Sequence, residues 1–382
     1  MQHKKTFKLL ILGCITVLLA SCANDDDSAF TPMEFTTLNY EADYEITLGD
    51  TLKIKQEIAN LPEIVTFKWS TAEAEISTSQ NLKYVPTEAT TFTLEFKALS
   101  SRDSISRTYN VTVNDPYDLY LRPKTEESSA LVSKIIEYKP APGQYINSTY
   151  GTLEDAEKLI GSSTNTLSLG GWGGYLIVGF DHTITNQADE KDFLVYGNAF
   201  NGLSEPGIVQ VSFDTNGNGI ADDEWFELAG SAHKNEETFT NYTMIYTNPG
   251  TEFTDVPWID SENTVDAIKV NTYHKQNYYP LFIEEQEEVS FTGTRVFPTI
   301  STSGFASIAA LEWGYTDNYD ADYATYKGNL MELDWAVDNS GNPVQLRGID
   351  FIKVYTGAQA NAGALGELST EIRGIADFSM LD

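Results

Sequence analysis

Residues 211–230 read VSFDTNGNGIADDEWFELAG, and how this stretch is read decides the fold. Counted from Asp214, acceptor side chains stand at positions 1, 3, 5, 9, 10 and 11, namely Asp214, Asn216, Asn218, Asp222, Asp223 and Glu224. Gly219 takes position 6 and the Ile220 carbonyl position 7. Alternating oxygens around a glycine turn suit a hard cation such as calcium, but a bidentate glutamate belongs at position 12, where this chain has Trp225. The flanks are not helical either: residues 208–213 and 225–228 alternate in strand fashion. The loop therefore bridges a β-hairpin, and Asn216-Gly217-Asn218-Gly219 equally suits a metal-free turn with positive φ. Both readings stand here; in the first, calcium is a structural ion, because the ion and the turn consume every oxygen.

The same pattern extends outward. Beyond residue 125, glycine-punctuated β signals dominate, among them LSLGGWGGYLIVGF, DFLVYGNAF, TMIYTN, AIKVNTY and IDFIKVYTG. Only 152–160, TLEDAEKLI, reads clearly as a helix, with Thr152 suited to its N-cap, and 125–136 has room for a short one. No repeat of fixed period appears, which argues against a propeller. Upstream, Phe92-Thr93-Leu94-Glu95-Phe96 and Tyr109-Asn110-Val111-Thr112-Val113 alternate as half-buried strands do. The expectation is an all-β chain: a small immunoglobulin-like sandwich over 30–115, a proline-marked hinge, and a larger β-sandwich of jelly-roll type over 125–382. Trp69 is expected in the core of the small sandwich.

The N-terminus is of another kind. Residues 1–22 carry lysines at Lys4, Lys5 and Lys8 and an apolar run from Leu9 to Leu19, about half the roughly 20 residues that a membrane span requires. This is a secretory signal, and Leu19-Ala20-Ser21-Cys22 resembles a bacterial lipobox whose cysteine is acylated, so the chain is expected to hang from a membrane by lipid on Cys22. Residues 23–29 form an acidic tether that resembles the export tag of Bacteroidetes lipoproteins, which implies the outer face of the outer membrane. The two cysteines are Cys14 and Cys22, so no disulfide staples the mature part. The formal charge of −32 becomes −35 without the three signal lysines, which disfavours nucleic acid and anionic lipid as partners.

Chemistry-bearing clusters are few. Gly170-Gly171-Trp172-Gly173-Gly174-Tyr175 precedes a strand, not the helix a phosphate loop requires. It either presents Trp172 and Tyr175 as a stacking platform or makes a tight bend around a buried ring. The stretch 274–282, HKQNYYPLF, places His274, Tyr278 and Tyr279 in what reads as an exposed loop; histidine ligates metals and tyrosine supplies rigid stacking area. For catalysis the chain is poor: no GxSxG elbow, HExxH or Walker loop occurs, and His182, His233 and His274 single out no triad. Acidic pairs such as Glu287-Glu288 keep a two-carboxylate glycosidase in view, but the expectation is a binding protein without a catalytic cofactor.

Several stretches together carry a family resemblance. LGDTLKI, FKWS and YNVTV resemble PKD-like modules. LGGWGGYLIVGFDHTI, SEPGIVQVSFDTNGNGIADDEWFELAGS and LDWAVDNSGNPVQLRGIDFIKVYTG resemble the surface lipoproteins of gut Bacteroidetes, some of which lie in loci for vitamin B12 capture beside a TonB-dependent transporter. The resemblance implies a lipid-anchored protein that binds a small molecule, cobalamin, and passes it to an outer-membrane transporter or a partner lipoprotein. The alternative is a calcium-stabilised glycan-binding or adhesive protein, for which stacking aromatics serve equally well.

Overall fold

The computed structural model describes residues 30–37, 39–283, 285–301 and 306–381. The signal segment, Cys22 and the acidic tether lie outside the described residues. The chain divides into two compact units, one up to Val113 and one from Asn114.

In the first unit, β1 (Asp43–Thr47), β2 (Thr66–Ser70), β3 (Glu75–Ser77), β4 (Thr91–Leu99) and β5 (Ser104–Asn114) form a five-stranded sheet in the order β1-β5-β4-β2-β3. Its alternating residues bury one face, where Trp69, Phe96 and Tyr109 pack ring against ring. Trp69 is a core residue, as expected, and its indole N–H donates to the Ser79 carbonyl at 2.9 Å.

The second unit opens with α1 (Pro116–Tyr120), capped by Asp115, whose carboxylate accepts the Tyr117 N–H. No helix forms over 125–136; the short helix stands earlier, where Pro116 at its first turn lacks only an N–H that a helix start leaves unused. The expected helix at 152–160 is present as α2 (Leu153–Glu157), with Thr152 and Asp155 capping each other. The strands are β6 (Lys134–Lys139), β7 (Tyr175–Thr185), β8 (Phe193–Tyr196), β9 (Gly207–Ser212), β10 (Trp225–Leu228), β11 (Phe239–Thr247) and β12 (Val256–Asp260). They continue as β13 (Val265–Ile268), β14 (Glu288–Arg295), β15 (Gly328–Met331), β16 (Ala336–Val337), β17 (Gly348–Thr356) and β18 (Gly374–Asp377).

These strands build an antiparallel sandwich, so the all-β expectation holds. A six-stranded sheet, β6-β7-β17-β9-β10-β16, buries Leu176, Val178, Val209 and Val354 against Phe193, Val195 and Ile375 of a three-stranded sheet, β15-β8-β18. A four-stranded sheet, β13-β12-β11-β14, holds a second core of Tyr242, Met244, Tyr246, Trp258 and Phe291. Strands β7 and β17 are buried over most of their length because both their faces are largely covered, with Tyr175 and Lys353 only half-buried, which is why they read as nearly continuous apolar runs. Among the described residues no helix is long and apolar enough to cross a membrane.

Candidate functional site

The sites expected from sequence do not converge. Trp172 is 0% exposed and packs edge-on against Tyr242 at 4.8 Å, so it is no platform. The reason is the bend itself: Gly173 has φ +86°, and a Cβ there would lie 2.4 Å from Phe291, which folds the loop onto the second core. Tyr278 and Tyr279 are likewise buried there. The Tyr278 hydroxyl accepts the Asn271 N–H at 2.9 Å, and the Tyr279 hydroxyl donates to the Gln286 carbonyl at 3.1 Å. Asn147 staples their loop, donating to the Asn277 and Tyr279 carbonyls and accepting the Leu281 N–H at 2.7 Å. Tyr175 is half-buried on the six-stranded sheet. His274 is half-buried, edge-on to Tyr145 at 4.9 Å.

The loop over 214–224 joins β9 to β10 as a hairpin, with Ser212 paired to Trp225. Much of its oxygen is spent on its own backbone: the Asp214 carboxylate accepts the Asn218 and Gly219 N–H groups at 3.1 and 2.8 Å, and Asn218 Oδ1 accepts the Ile220 N–H. Lys134 donates to the Gly219 carbonyl, and Asn218 donates to Asp222. Asp223 accepts from Thr215 and Asn216, and Glu224 is exposed. A pocket of about 450 Å³ lies beside the loop, between Tyr120, Arg122 and Phe351.

Tyr145, beside His274, leads to a different pocket, of about 330 Å³. Its walls carry the amides of Gln144 and Asn198 with Tyr145 and Leu365; Glu205, Ser369 and Glu371 line it as well. Tyr150 and Phe200, also lining, are 44% and 56% exposed. Tyr145 stands edge-on to Tyr150 at 6.1 Å, so these two rings form one aromatic wall. Tyr150 adopts φ +79° and Asp317, beside Glu205 and Glu371, φ +49°. Side-chain-bearing residues reach that region only at a cost of order 1–3 kcal/mol, and such residues cluster at functional sites.

The acids are the pocket's electrostatic signature. One carboxylate oxygen each from Glu205, Asp317 and Glu371 lies within 4.8 Å of the others. Burial, then the charge of Asp317, pushes Glu205 up to about 8; burial pushes Asp317 up to about 7 against the backbone N–H groups it accepts. Burial raises Glu371 well above the usual range, with Glu205 and Asp317 adding to it. Glu367 is also raised by burial, to about 7, and accepts the Gln144 N–H at 2.6 Å. At neutral pH such a group either keeps protons, and so donates as well as accepts, or is the geometry from which a hard cation could be held.

Among the described residues the other two histidines, buried His182 and half-buried His233, have structural partners. His182 lies between Asp181 and Asp377, and His233 Nε2 lies 2.9 Å from Glu227. Ser379 donates to Asp377 and not to the imidazole, so no nucleophilic triad forms there.

No family model matches the chain, and no curated protein matches it. Among solved structures, the PKD domain of human KIAA0319 is 15% identical, over 24% of this chain and 92% of that one, with a TM-score of 0.18. A SusE-like protein is 10% identical over 82% and 88%, with a TM-score of 0.25. SGBP-B of the Bacteroides ovatus mixed-linkage glucan utilization locus, solved with a heptasaccharide, is 12% identical over 87% and 100%, with a TM-score of 0.20.

Proposed function

We propose that the chain is a surface lipoprotein, anchored through Cys22 to the outer membrane, whose larger unit binds a carbohydrate in the pocket between Tyr150, Phe200 and Glu371. The observation that carries this reading is the pairing of exposed aromatic rings with polar groups that both donate and accept. Sugars present apolar C–H faces, which stack on aromatic rings, and hydroxyls, which pair with carboxyl and amide groups at fixed positions. The pocket sits at the small end of the roughly 300–1,000 Å³ range of ligand sites, a size that suits a sugar unit.

The unit binds and does not hydrolyse. A two-carboxylate glycosidase divides its groups into one ionised and one protonated, whereas burial raises Glu205, Asp317 and Glu371 alike, which favours ligand binding through shared protons over that division of roles. Calcium in the 214–224 loop is a structural ion in this reading, and a transporter or partner lipoprotein is the acceptor of the ligand.

The test is a glycan array followed by titration calorimetry on the soluble chain beginning at Ser28, which keeps every described residue, with cyanocobalamin as the comparison ligand. A glycan whose affinity falls at least fivefold in Tyr150→Ala supports the reading. Tight one-to-one binding of cyanocobalamin with no glycan binding would return the chain to the corrinoid expectation.

A further inference from the structure

Strand pairing lines up a set of side chains on the face of the six-stranded sheet opposite the main core. Glu137 pairs with Ile177, Ile177 with Lys353, Lys353 with Gln210 and Gln210 with Glu227, a row crossing five strands. In the adjacent row Lys139 pairs with Tyr175 and Tyr175 with Tyr355. Paired residues project to the same face, so Lys139, Tyr175 and Lys353 are neighbours.

Both lysines are anomalous. The chain has 56 acidic and 24 basic residues, yet among the described residues neither Lys139 nor Lys353 has a carboxylate oxygen within 4.0 Å. Both are half-buried, where a charge is ordinarily paired. Their ammonium groups lie instead against rings: Lys353 at 4.5 Å from the Tyr175 centroid and 5.7 Å from that of Tyr355, Lys139 at 5.5 Å from that of Phe291. Tyr175 and Phe291 meet edge-on at 6.2 Å, so the rings and cations form one cluster. The nearby acid Glu227 is engaged, accepting from Thr294 and Tyr355 and lying 2.9 Å from His233 Nε2, while burial, together with the Glu137 carboxylate on the same face, raises the pKa of the Tyr175 phenol. Burial, aided by the like charge of Lys139, holds Lys353 below the ordinary lysine value even with Glu137 and Glu227 pulling it up.

We propose that this cluster is a second ligand site, in which Lys139 and Lys353 take an anionic group, carboxylate or sulfate, carried on a sugar ring that stacks beside Tyr175. An anion there supplies the hydrogen-bond acceptors that the ammonium groups lack among the described residues, and in a half-buried setting such charge-assisted bonds are the stronger kind. The site lies on the sheet face and shares no residue with the acid-floored pocket, so it stands or falls independently of the pocket reading.

The experiment titrates trigalacturonate, its fully methyl-esterified form and a sulfated heparin tetrasaccharide into the soluble chain, its Lys139→Gln/Lys353→Gln variant and Tyr150→Ala. Saturable binding of at least one anionic probe is expected, with the neutral ester failing to bind, a tenfold or greater loss in the double variant and no change in Tyr150→Ala. Binding by the trigalacturonate alone identifies a carboxylate, and by the tetrasaccharide alone a sulfate. The proposal is overturned if neither anionic probe binds, if the ester binds as well as the acid, or if the loss appears in Tyr150→Ala instead. The ester comparison on the unaltered chain keeps the test decisive even where the double variant fails to fold.

Discussion

His182 Nε2 lies 2.9 Å from the carboxylate of Asp377, a residue 195 positions away, while its Nδ1 lies 2.8 Å from Asp181. Burial alone would lower the pKa of this imidazole, but the hydrogen bonds to Asp377 and Asp181 outweigh it and leave the value raised. The imidazole ties the last strand of the three-stranded sheet to β7.

That pairing sets a pH profile. A raised histidine contributes fully below its ordinary value of about 6.5 and loses the contribution as pH rises through the folded value. Asp181 and Asp377 are held low by His182 against their own burial, so their share is present above about 4 and is lost as pH falls through their folded values. Melting temperature is therefore expected to decline above about pH 6.5, and His182→Gln should flatten that decline while costing on the order of 3 kcal/mol near pH 6. An unchanged slope in the variant would remove His182 as its source.

The pocket acids act in the same direction by another route. Glu205 and Asp317 are raised to about 8 and about 7, so their contribution to stability falls as pH rises from the ordinary carboxyl value of about 4 towards those folded values, and is fully lost above them. Glu371→Gln removes one ionisable group from the cluster, and its melting temperature is expected to gain steadily on that of the parent from pH 4.5 to pH 8.5. Equal curves at both pH values would mean that the cluster is already neutralised by an ion.

Gly217 should tolerate no side chain. Its φ is +69°, and a Cβ would lie 2.5 Å from the Tyr120 ring, so Gly217→Ala is expected to cost about 1 kcal/mol or more in chemical denaturation. The same loop decides the calcium question. If a structural ion occupies it, melting temperature rises with excess calcium and falls with chelator, and Gly217→Ala blunts the difference. Identical melts with calcium and chelator leave a metal-free turn.

Trp172→Ala and Tyr150→Ala are expected to separate packing from recognition. The first empties a fully buried site and should cost about 3–5 kcal/mol; the second removes an exposed ring and should leave the melting temperature within a degree or two while weakening glycan binding. Reversed behaviour would place the ligand on the glycine-rich loop after all.

The β class, the hairpin around residues 214–224 and the capped helix at 152–160 were all legible because each rests on local patterning: alternation, turn residues or a capping pair. The pocket was not. Glu205, Asp317 and Glu371 come from three distant loops and strand ends, and in a chain with 56 acidic residues an isolated one carries no local mark. The one available signal was acids set among apolar residues, as in LGELSTEI, where Glu367 and Glu371 both prove buried. Trp172, Tyr278 and Tyr279 misled for the converse reason: glycine and proline mark a loop, but do not say that its rings fold inward against a second sheet.

The order of the six-stranded sheet carries a consequence for how the protein is made. Strand β17 sits between β7 and β9, so the sheet has no centre until residue 356 has been synthesised, and β7, paired early with β6, must wait through more than 160 residues for its second partner. Long-range antiparallel pairing of this kind is slow to form. In a chain handed to an export channel N-terminus first, this sheet would thus stay open almost to the end of synthesis, and a chain cut short before β17 would present two unpaired edges to proteases and to its own copies.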